Sequence, residues 1–221
     1  MKVLVVSAHP DDETLGGGGT ILRHIEAGDS VSWLIATAPH PDDWSSETIK
    51  TCDSQVSAVR QAYGFTGFYD LRFPAAGLDQ VPQKQLIDAV INVLEEDRPE
   101  RIYTVGATDV HSDHLITFEA IMAAAKPFRR SPIVRGIYSY EVLSSTEAAY
   151  GWRERSFVPN AYQDITGRLE RKIEIMGLYG NQLQDGLQPR SARAIQALAE
   201  FRGATIGVEA AEAFTVIREL L

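Results

Sequence analysis

The stretch VSAHPDDETLGGGG, from Val6 to Gly19, closes an apolar segment with a histidine and three carboxylates before a run of four glycines. An apolar run followed by glycines is typical of a strand that turns into a helix. The dinucleotide-binding pattern G-x-G-x-x-G does not fit, because a pattern beginning at Gly16 needs glycine where Ile21 stands. The carboxylates would also oppose a pyrophosphate at the helix N-terminus. The turn is therefore better suited to binding a cation.

Outward from this turn, short β-rich runs alternate with segments of helical periodicity. We expect strands at residues 3–7, 31–37, 101–105 and 136–142, with helices at 20–27, before Gly64, around 86–94 and around 115–125. Asp164 carries an N-cap signal for a further helix, and the last forty residues are expected to form helix and loop. This alternation predicts an α/β fold with a mainly parallel sheet.

Composition limits the chemistry. The chain has 221 residues, 44% of them hydrophobic, which suits one domain over residues 1–221. The formal net charge of -9 disfavours nucleic acid and favours a small neutral or cationic substrate. Cys52 is the only cysteine, so any metal ion must be bound by His, Asp and Glu.

The N-terminus shows no cationic region leading into a long apolar stretch, and the apolar run at residues 3–6 is too short to span a bilayer. We therefore expect a soluble cytoplasmic protein without a transmembrane segment. The sequence leaves a homo-oligomer open.

Two loops carry candidate site residues. Because ligands bind at the carboxyl ends of parallel strands, His9, Asp11 and Asp12 are expected to face a site. The alternative is that these carboxylates only cap the following helix. A second loop, TDVHSDHLITFEA, follows the strand at 101–105 and places His111 and His114 three residues apart. Three N/O ligands with an open position are typical of catalytic zinc.

The motifs AHPDDE, at residues 8–13, and HSDH, at residues 111–114, resemble those of the LmbE-like or PIG-L-like zinc-dependent N-deacetylases. The similarity extends through the stretch before the second motif, the helical segment from Asp164 to Gln182 and the AEAF at 211–214. The chain departs from the family in TCDSQVSAVRQAYGF, where Gln55 takes the place of a glutamate and the upstream arginine is absent.

The resemblance implies a single-domain, Rossmann-like, three-layer fold and removal of acetyl from an N-acetylglucosamine-type sugar or conjugate. It implies that the Zn²⁺ ligands are His9, Asp12 and His114, although another divalent transition metal stays open. Asp11 is then the general base. His111, in its protonated form and oriented by Asp113 or Asp109, assists the oxyanion or protonates the leaving amine.

Aromatic and basic side chains outside the two motifs are candidates for substrate contacts. Trp44 and Trp152 lie in two polar loops expected to cover the site, and Arg60 is a candidate for binding an anion, as is Arg190. His24 is expected at the surface. The alternatives are a metal-dependent amidase acting on another small N-acyl substrate, a phosphoester hydrolase, and a non-catalytic sugar- or metal-binding module.

Overall fold

Seven strands share one sheet in the computed structural model, which describes residues 1–128, 134–149 and 156–221. In chain order they are β1 (Lys2–Ser7), β2 (Ser30–Ala38), β3 (Gly67–Pro74), β4 (Arg101–Thr104), β5 (Gly136–Tyr140), β6 (Ala161–Asp164) and β7 (Ala211–Glu219). Their order across the sheet is β3-β2-β1-β4-β5-β7-β6. The first five are parallel, and β7 runs antiparallel to both β5 and β6. The strand order reverses between β1 and β4, which is where open α/β sheets bind ligands.

Helices cover both faces of the sheet. They are α1 (Asp12–Glu26), α2 (Ser46–Tyr63), α3 (Gln83–Asp97), α4 (Ser112–Ala124), α5 (Leu169–Gly177) and α6 (Ala192–Ala204). Val3 and Val5 of β1 pack with α1, α2, α5 and α6, whereas Leu4 and Val6 pack with α3 and α4. This alternation of one strand between two cores confirms the predicted three-layer α/β fold. Among the described helices, none is both long and apolar enough to cross a membrane.

The glycine run lets α1 approach its neighbours closely. A Cβ added at Gly16 would lie 2.1 Å from the ring of Tyr140, and one at Gly19 would lie 2.6 Å from Ile165. Gly17 has φ -140° and interrupts the helical geometry there. The sequence predicts a helix from residue 20, whereas α1 begins at Asp12. Glycine disfavours a helix by itself, so packing against the sheet determines where α1 begins.

The C-terminal third differs most from the sequence prediction. Asp164 ends β6 instead of capping a helix, and its Oδ1 accepts a hydrogen bond from the Thr166 N–H at 2.8 Å. The final segment contains α6, as expected, but also β7, which is held by pairing with β5 and β6. His24, expected at the surface, is buried, with Nε2 lying 3.0 Å from the Tyr103 hydroxyl.

Candidate active site

The two predicted loops meet at one edge of the sheet. Asp12 opens α1 directly after β1, and His114 lies in the first turn of α4, which follows β4. His9 Nδ1 lies 3.3 Å from His114 Nε2, although 105 residues separate the two histidines in the sequence. The structure therefore brings the two motifs to a common centre.

Asp113 determines which nitrogen of His9 faces that centre. Its Oδ2 lies 2.9 Å from His9 Nε2 and also accepts a hydrogen bond from the Ala76 N–H at 2.7 Å. Oδ1 accepts a hydrogen bond from the Leu78 N–H at 3.2 Å. A carboxylate beside Nε2 keeps the proton on that nitrogen, so the Nδ1 lone pair of neutral His9 points at His114.

Asp109 lies beside the other ring nitrogen of His114. Its Oδ2 lies 3.0 Å from His114 Nδ1 and accepts hydrogen bonds from the hydroxyls of Ser145, at 2.8 Å, and Thr146, at 2.9 Å. A proton on Nδ1 leaves the Nε2 lone pair directed at His9. Burial opposes a charged imidazole here, yet the carboxylates of Asp12 and Asp109 raise the pKa of His114 to about 10. A positive charge is therefore favoured between these groups.

Asp12 completes the cluster. Its Oδ1 lies 3.4 Å from His114 Nε2 and its Oδ2 lies 3.9 Å from His9 Nδ1. The backbone N–H groups of Ala8 and His9 donate to Oδ2 at 2.9 and 2.8 Å. Although burial opposes the anion, His114 and His9 lower the pKa of Asp12 to about 2. Two imidazole nitrogens and an ionised carboxylate thus lie within 3.3 to 3.9 Å of one another, and this combination of groups suits a divalent transition-metal ion.

His111 is close enough to join such a cluster but is oriented differently. One ring nitrogen each from His9, His111 and His114 lie within 4.8 Å of one another, so these three histidines alone could hold a metal ion. However, His111 Nδ1 accepts a hydrogen bond from the Asp113 N–H at 3.2 Å. A neutral ring must then carry its proton on Nε2, which makes that nitrogen a donor rather than a ligand.

Two expectations for His111 need correction. The Asp113 carboxylate contacts His9, not His111, and Asp109 Oδ1 accepts from the His111 backbone N–H at 2.9 Å rather than from its ring. Burial and the imidazoles of His9 and His114 lower the pKa of His111, which favours the neutral ring over the protonated form expected from the sequence. A neutral Nε2–H remains available as a hydrogen-bond donor.

Asp11 is buried beside this cluster in a strained backbone conformation. Its φ of 110° lies in the region that side chains rarely adopt, and such strain concentrates at functional sites. Arg190 Nη1 donates to Asp11 Oδ2 at 2.9 Å. Burial and the neighbouring Asp12 raise the pKa of Asp11 well above its usual range, while Arg190 acts in the opposite direction. A carboxylate with a raised pKa accepts protons more readily.

Glu13 stabilises the acidic turn through hydrogen bonds to residues around it. Its Oε2 accepts hydrogen bonds from the Ser7 hydroxyl at 3.2 Å and the Asp11 N–H at 3.3 Å, and its Oε1 accepts from the Tyr179 hydroxyl at 2.6 Å. Burial raises the pKa of Glu13 to about 7. Sequence reasoning missed Tyr179, because 166 residues separate it from Glu13 and no local pattern links them.

The cluster opens into a pocket of about 810 Å³. Trp44 lines it and is 45% exposed, as is expected of a residue available to a substrate. Gln55 also lines the pocket and donates to the Tyr179 carbonyl at 3.0 Å. Arg60 is not among the lining residues, because its guanidinium lies 4.0 Å from the centre of the Phe68 ring. Its position does not support the predicted substrate contact. Trp152 lies outside the described residues.

Two bacterial deacetylases are similar in sequence. A 1D-myo-inositol 2-acetamido-2-deoxy-alpha-D-glucopyranoside deacetylase from Rhodococcus erythropolis is 28% identical over 158 residues, covering 56% of this chain and 54% of the relative. The match thus spans about half of that relative's length. A probable N-acetyl-alpha-D-glucosaminyl L-malate deacetylase 2 from Bacillus cereus is 25% identical over 207 residues, covering 86% of this chain and 88% of the relative.

Solved structures share the whole fold. The conserved protein TT1542 from Thermus thermophilus matches with a TM-score of 0.78 at 24% identity, covering 99% of this chain and 96% of that one. GalB, the 4-carboxy-2-hydroxymuconate hydratase from Pseudomonas putida, matches with a TM-score of 0.77 at 17% identity, covering 100% and 97%. Since a hydratase has this architecture, these likenesses establish the fold and not the reaction.

A match to a protein-family model identifies the family of this chain. The model described as PIG-L, GlcNAc-PI de-N-acetylase, matches residues 4–125, more than half of the 221 residues, and includes both loops that form the cluster. The chain therefore belongs to the PIG-L family of GlcNAc-PI de-N-acetylases.

Proposed function

We propose that this protein is a zinc-dependent N-deacetylase that hydrolyses the acetamide of an N-acetylglucosamine-type sugar or conjugate. The main support is that ring nitrogens of His9 and His114 and the carboxylate oxygens of Asp12 lie 3.3 to 3.9 Å apart. The carboxylate of Asp11 lies next to this group without pairing with either ring. A module that only binds a metal or a sugar has no need for a second, strained carboxylate at that place.

His9, Asp12 and His114 would hold the ion, and zinc suits two imidazoles and a carboxylate. When bound, a divalent metal ion supplies Lewis-acid chemistry, polarising the amide carbonyl and making a water molecule more acidic. Asp113 and Asp109 keep both imidazoles in the tautomers that present lone pairs to that ion.

Asp11 takes a proton from the attacking water, whose oxygen forms a new bond to the acetyl carbon. His111 donates its Nε2 proton in a hydrogen bond to the carbonyl oxygen as negative charge develops there. The carbon–nitrogen bond then breaks, and the nitrogen takes up the proton that Asp11 removed. One water is consumed, and the products are the amine and acetic acid, which releases its proton to the amine or to solvent and becomes acetate.

The pocket supports a substrate larger than an acetyl group. Its volume of about 810 Å³ lies within the roughly 300–1,000 Å³ of small-molecule sites, and Trp44 offers a ring on which a sugar can stack. The two curated relatives are named for substrates that carry an N-acetylated glucosamine linked to inositol or to L-malate. Conjugates of this class are therefore the first substrates to test.

The test measures acetate released from a panel of N-acetylglucosamine conjugates by the protein loaded with zinc, after chelation, and after reloading with other divalent metals. We expect acetate release that chelation abolishes and zinc restores. Release only from N-acyl compounds that are not sugars would favour the amidase alternative. A metal-loaded protein that binds the sugars but releases no acetate would favour a binding module.

The metal ligands are tested without an activity assay. His114→Ala is expected to lose the metal, as measured by elemental analysis of the purified protein, because three protein ligands leave none to spare. His40→Ala is the matched control, since the His40 side chain is 43% exposed and lies outside the pocket lining. Full metal occupancy in His114→Ala would contradict the assignment.

A further inference from the structure

Arg190 reaches the Asp11 carboxylate from a part of the chain far from both motif loops. Its Nη1 donates to Asp11 Oδ2 at 2.9 Å, and 179 residues separate the two in the sequence. Within the described ranges, no other side chain donates a hydrogen bond to this carboxylate. The contact engages one carboxylate oxygen, and Oδ1 accepts no hydrogen bond from the part of the chain that the structure describes. Asp11 lines the same pocket as His9, Asp12 and His114.

The backbone around Arg190 is held in place. The Gln184 N–H donates to the Arg190 carbonyl at 3.1 Å, and the Arg190 N–H donates to the Gln184 side-chain oxygen at 3.3 Å. The next residue, Ser191, caps α6 by accepting from the Ala194 N–H at 3.2 Å. Arg190 therefore extends from a closed turn at a helix start, which restricts the directions its guanidinium can take.

The guanidinium is not arranged to satisfy all of its own donors. Arg190 Nε is buried and has no hydrogen-bond partner among the described residues, which is an unfavourable state for a donor. Among the described residues, Asp11 is the one acceptor that the Arg190 guanidinium reaches.

We propose that Arg190 is a positioning residue for the general base, an inference that rests on the proposed deacetylase function. By binding Oδ2, Arg190 fixes the rotation of the Asp11 carboxylate so that Oδ1 faces the water to be deprotonated. The rival role for a pocket arginine is recognition of an anionic group on the substrate. The two roles differ in whether Arg190 acts through Asp11.

Arg190→Gln separates these roles by its kinetics. We expect kcat to fall about 10- to 100-fold, the usual effect of removing a residue that orients a site group, with metal content unchanged. KM for an uncharged substrate should stay within roughly 3-fold of wild type, because ground-state binding is not altered. Arg190→Lys should fall between, since lysine keeps the charge but lacks the planar donor group. Arg193→Gln, an exposed arginine in the same segment, is the matched control.

A double-mutant cycle provides the decisive comparison. If Arg190 acts only through Asp11, adding Arg190→Gln to Asp11→Asn should lower kcat no further. Three outcomes would overturn the inference while the wild type is active. They are an unchanged kcat in Arg190→Gln, additive losses in the double variant, and a rise in KM alone for anionic substrates. A wild type that releases no acetate would overturn the proposed function and this inference with it. Arg190→Lys supplies the comparison if Arg190→Gln fails to fold.

Discussion

Four carboxylates surround the two imidazoles, and their contacts divide them among three tasks. Asp12 directs its oxygens at both imidazoles and is held by backbone N–H groups. Asp109 and Asp113 contact the outer nitrogens and thereby set the tautomers. Asp11 contacts neither ring and is paired with Arg190. Residues of identical chemistry thus become proposed ligand, orienting group and proposed base through the contacts around them.

Asp11→Asn tests the base most directly. The amide oxygen of asparagine can still accept the Arg190 hydrogen bond, so the site should keep its shape and its metal. It cannot take a proton from water, and kcat should fall about 10²- to 10⁴-fold, the usual contribution of a general base. Steady-state kinetics and elemental analysis of the same preparation provide the measurement. Turnover near the wild-type rate would remove the base assignment.

Asp113→Asn tests the corrected role of that residue. The carboxylate accepts from His9 Nε2 and from the Ala76 and Leu78 N–H groups, whereas an amide offers a single acceptor oxygen. His9 should lose its fixed tautomer, and zinc affinity should fall about 10- to 100-fold. Competition with a chelator measures the dissociation constant. Asp79→Asn is the control, because Asp79 is exposed and directly follows Leu78 in the chain. Equal affinities in the two variants would refute the orienting role.

At this scale, the sequence predicts which residues gather but not which partner each one takes. The motifs predict that His9, Asp12 and His114 lie close together, and their ring nitrogens and carboxylate oxygens are 3.3 to 3.9 Å apart, because the strands before them end at one sheet edge. The partner of Asp113 could not be read from its neighbours. Its orientation depends on N–H groups 35 and 37 residues earlier in the chain, after β3.

At the scale of single elements, α1 depends on the absence of side chains along its first turns. A Cβ on Gly16 would lie 2.1 Å from the Tyr140 ring, whose hydroxyl donates to the Val6 carbonyl at 2.6 Å. The ring is therefore fixed at the end of β1 and cannot move aside without breaking that bond. A Cβ added at Gly17 would meet no neighbouring atom within 4 Å among the described residues.

Gly16→Ala should therefore destabilise the protein, while Gly17→Ala should not. Overpacking of a tight core contact costs about 1–3 kcal/mol, and we expect that loss for Gly16→Ala in urea unfolding. Gly17→Ala adds the same methyl group to the same helix and is expected to remain within about 0.5 kcal/mol of wild type. Equal unfolding free energies for the two variants would show that the close approach is not rigid.

Element boundaries were predictable where local patterns decide them. The periodicity before Gly64 corresponds to α2, which ends at Tyr63 and is followed by the capping residue Gly64 with φ 76°. The strand β7 was missed, because its pairing partners β5 and β6 lie far away in the sequence. A helical pattern needs only its own residues, whereas a strand needs the edge of another strand, and a single segment does not contain that information.

At the scale of the whole molecule, the C-terminal strand supports the helix that begins at the site. Glu212 of β7 accepts hydrogen bonds from the Gly19 N–H at 2.8 Å and the Thr20 N–H at 2.7 Å, directly after the irregularity at Gly17. Lys172 Nζ donates to Glu212 at 2.7 Å and to the Leu15 carbonyl at 2.9 Å. Both charged side chains are buried, so a desolvated ion pair joins α5 to β7, and backbone hydrogen bonds of α1 connect that helix to both partners of the pair.

Glu212→Gln should lower the free energy of unfolding by about 3–5 kcal/mol, because removing one partner leaves the buried Lys172 charge uncompensated. The double variant Glu212→Gln with Lys172→Met removes both charges and should lose less than the sum of the two single variants. Glu174→Gln is the matched control, since its pair with Arg171 is exposed and such pairs contribute about 0–1 kcal/mol. Urea unfolding monitored by tryptophan fluorescence gives all four values. A loss in Glu212→Gln no larger than in Glu174→Gln would mean that β7 does not stabilise α1 through this pair.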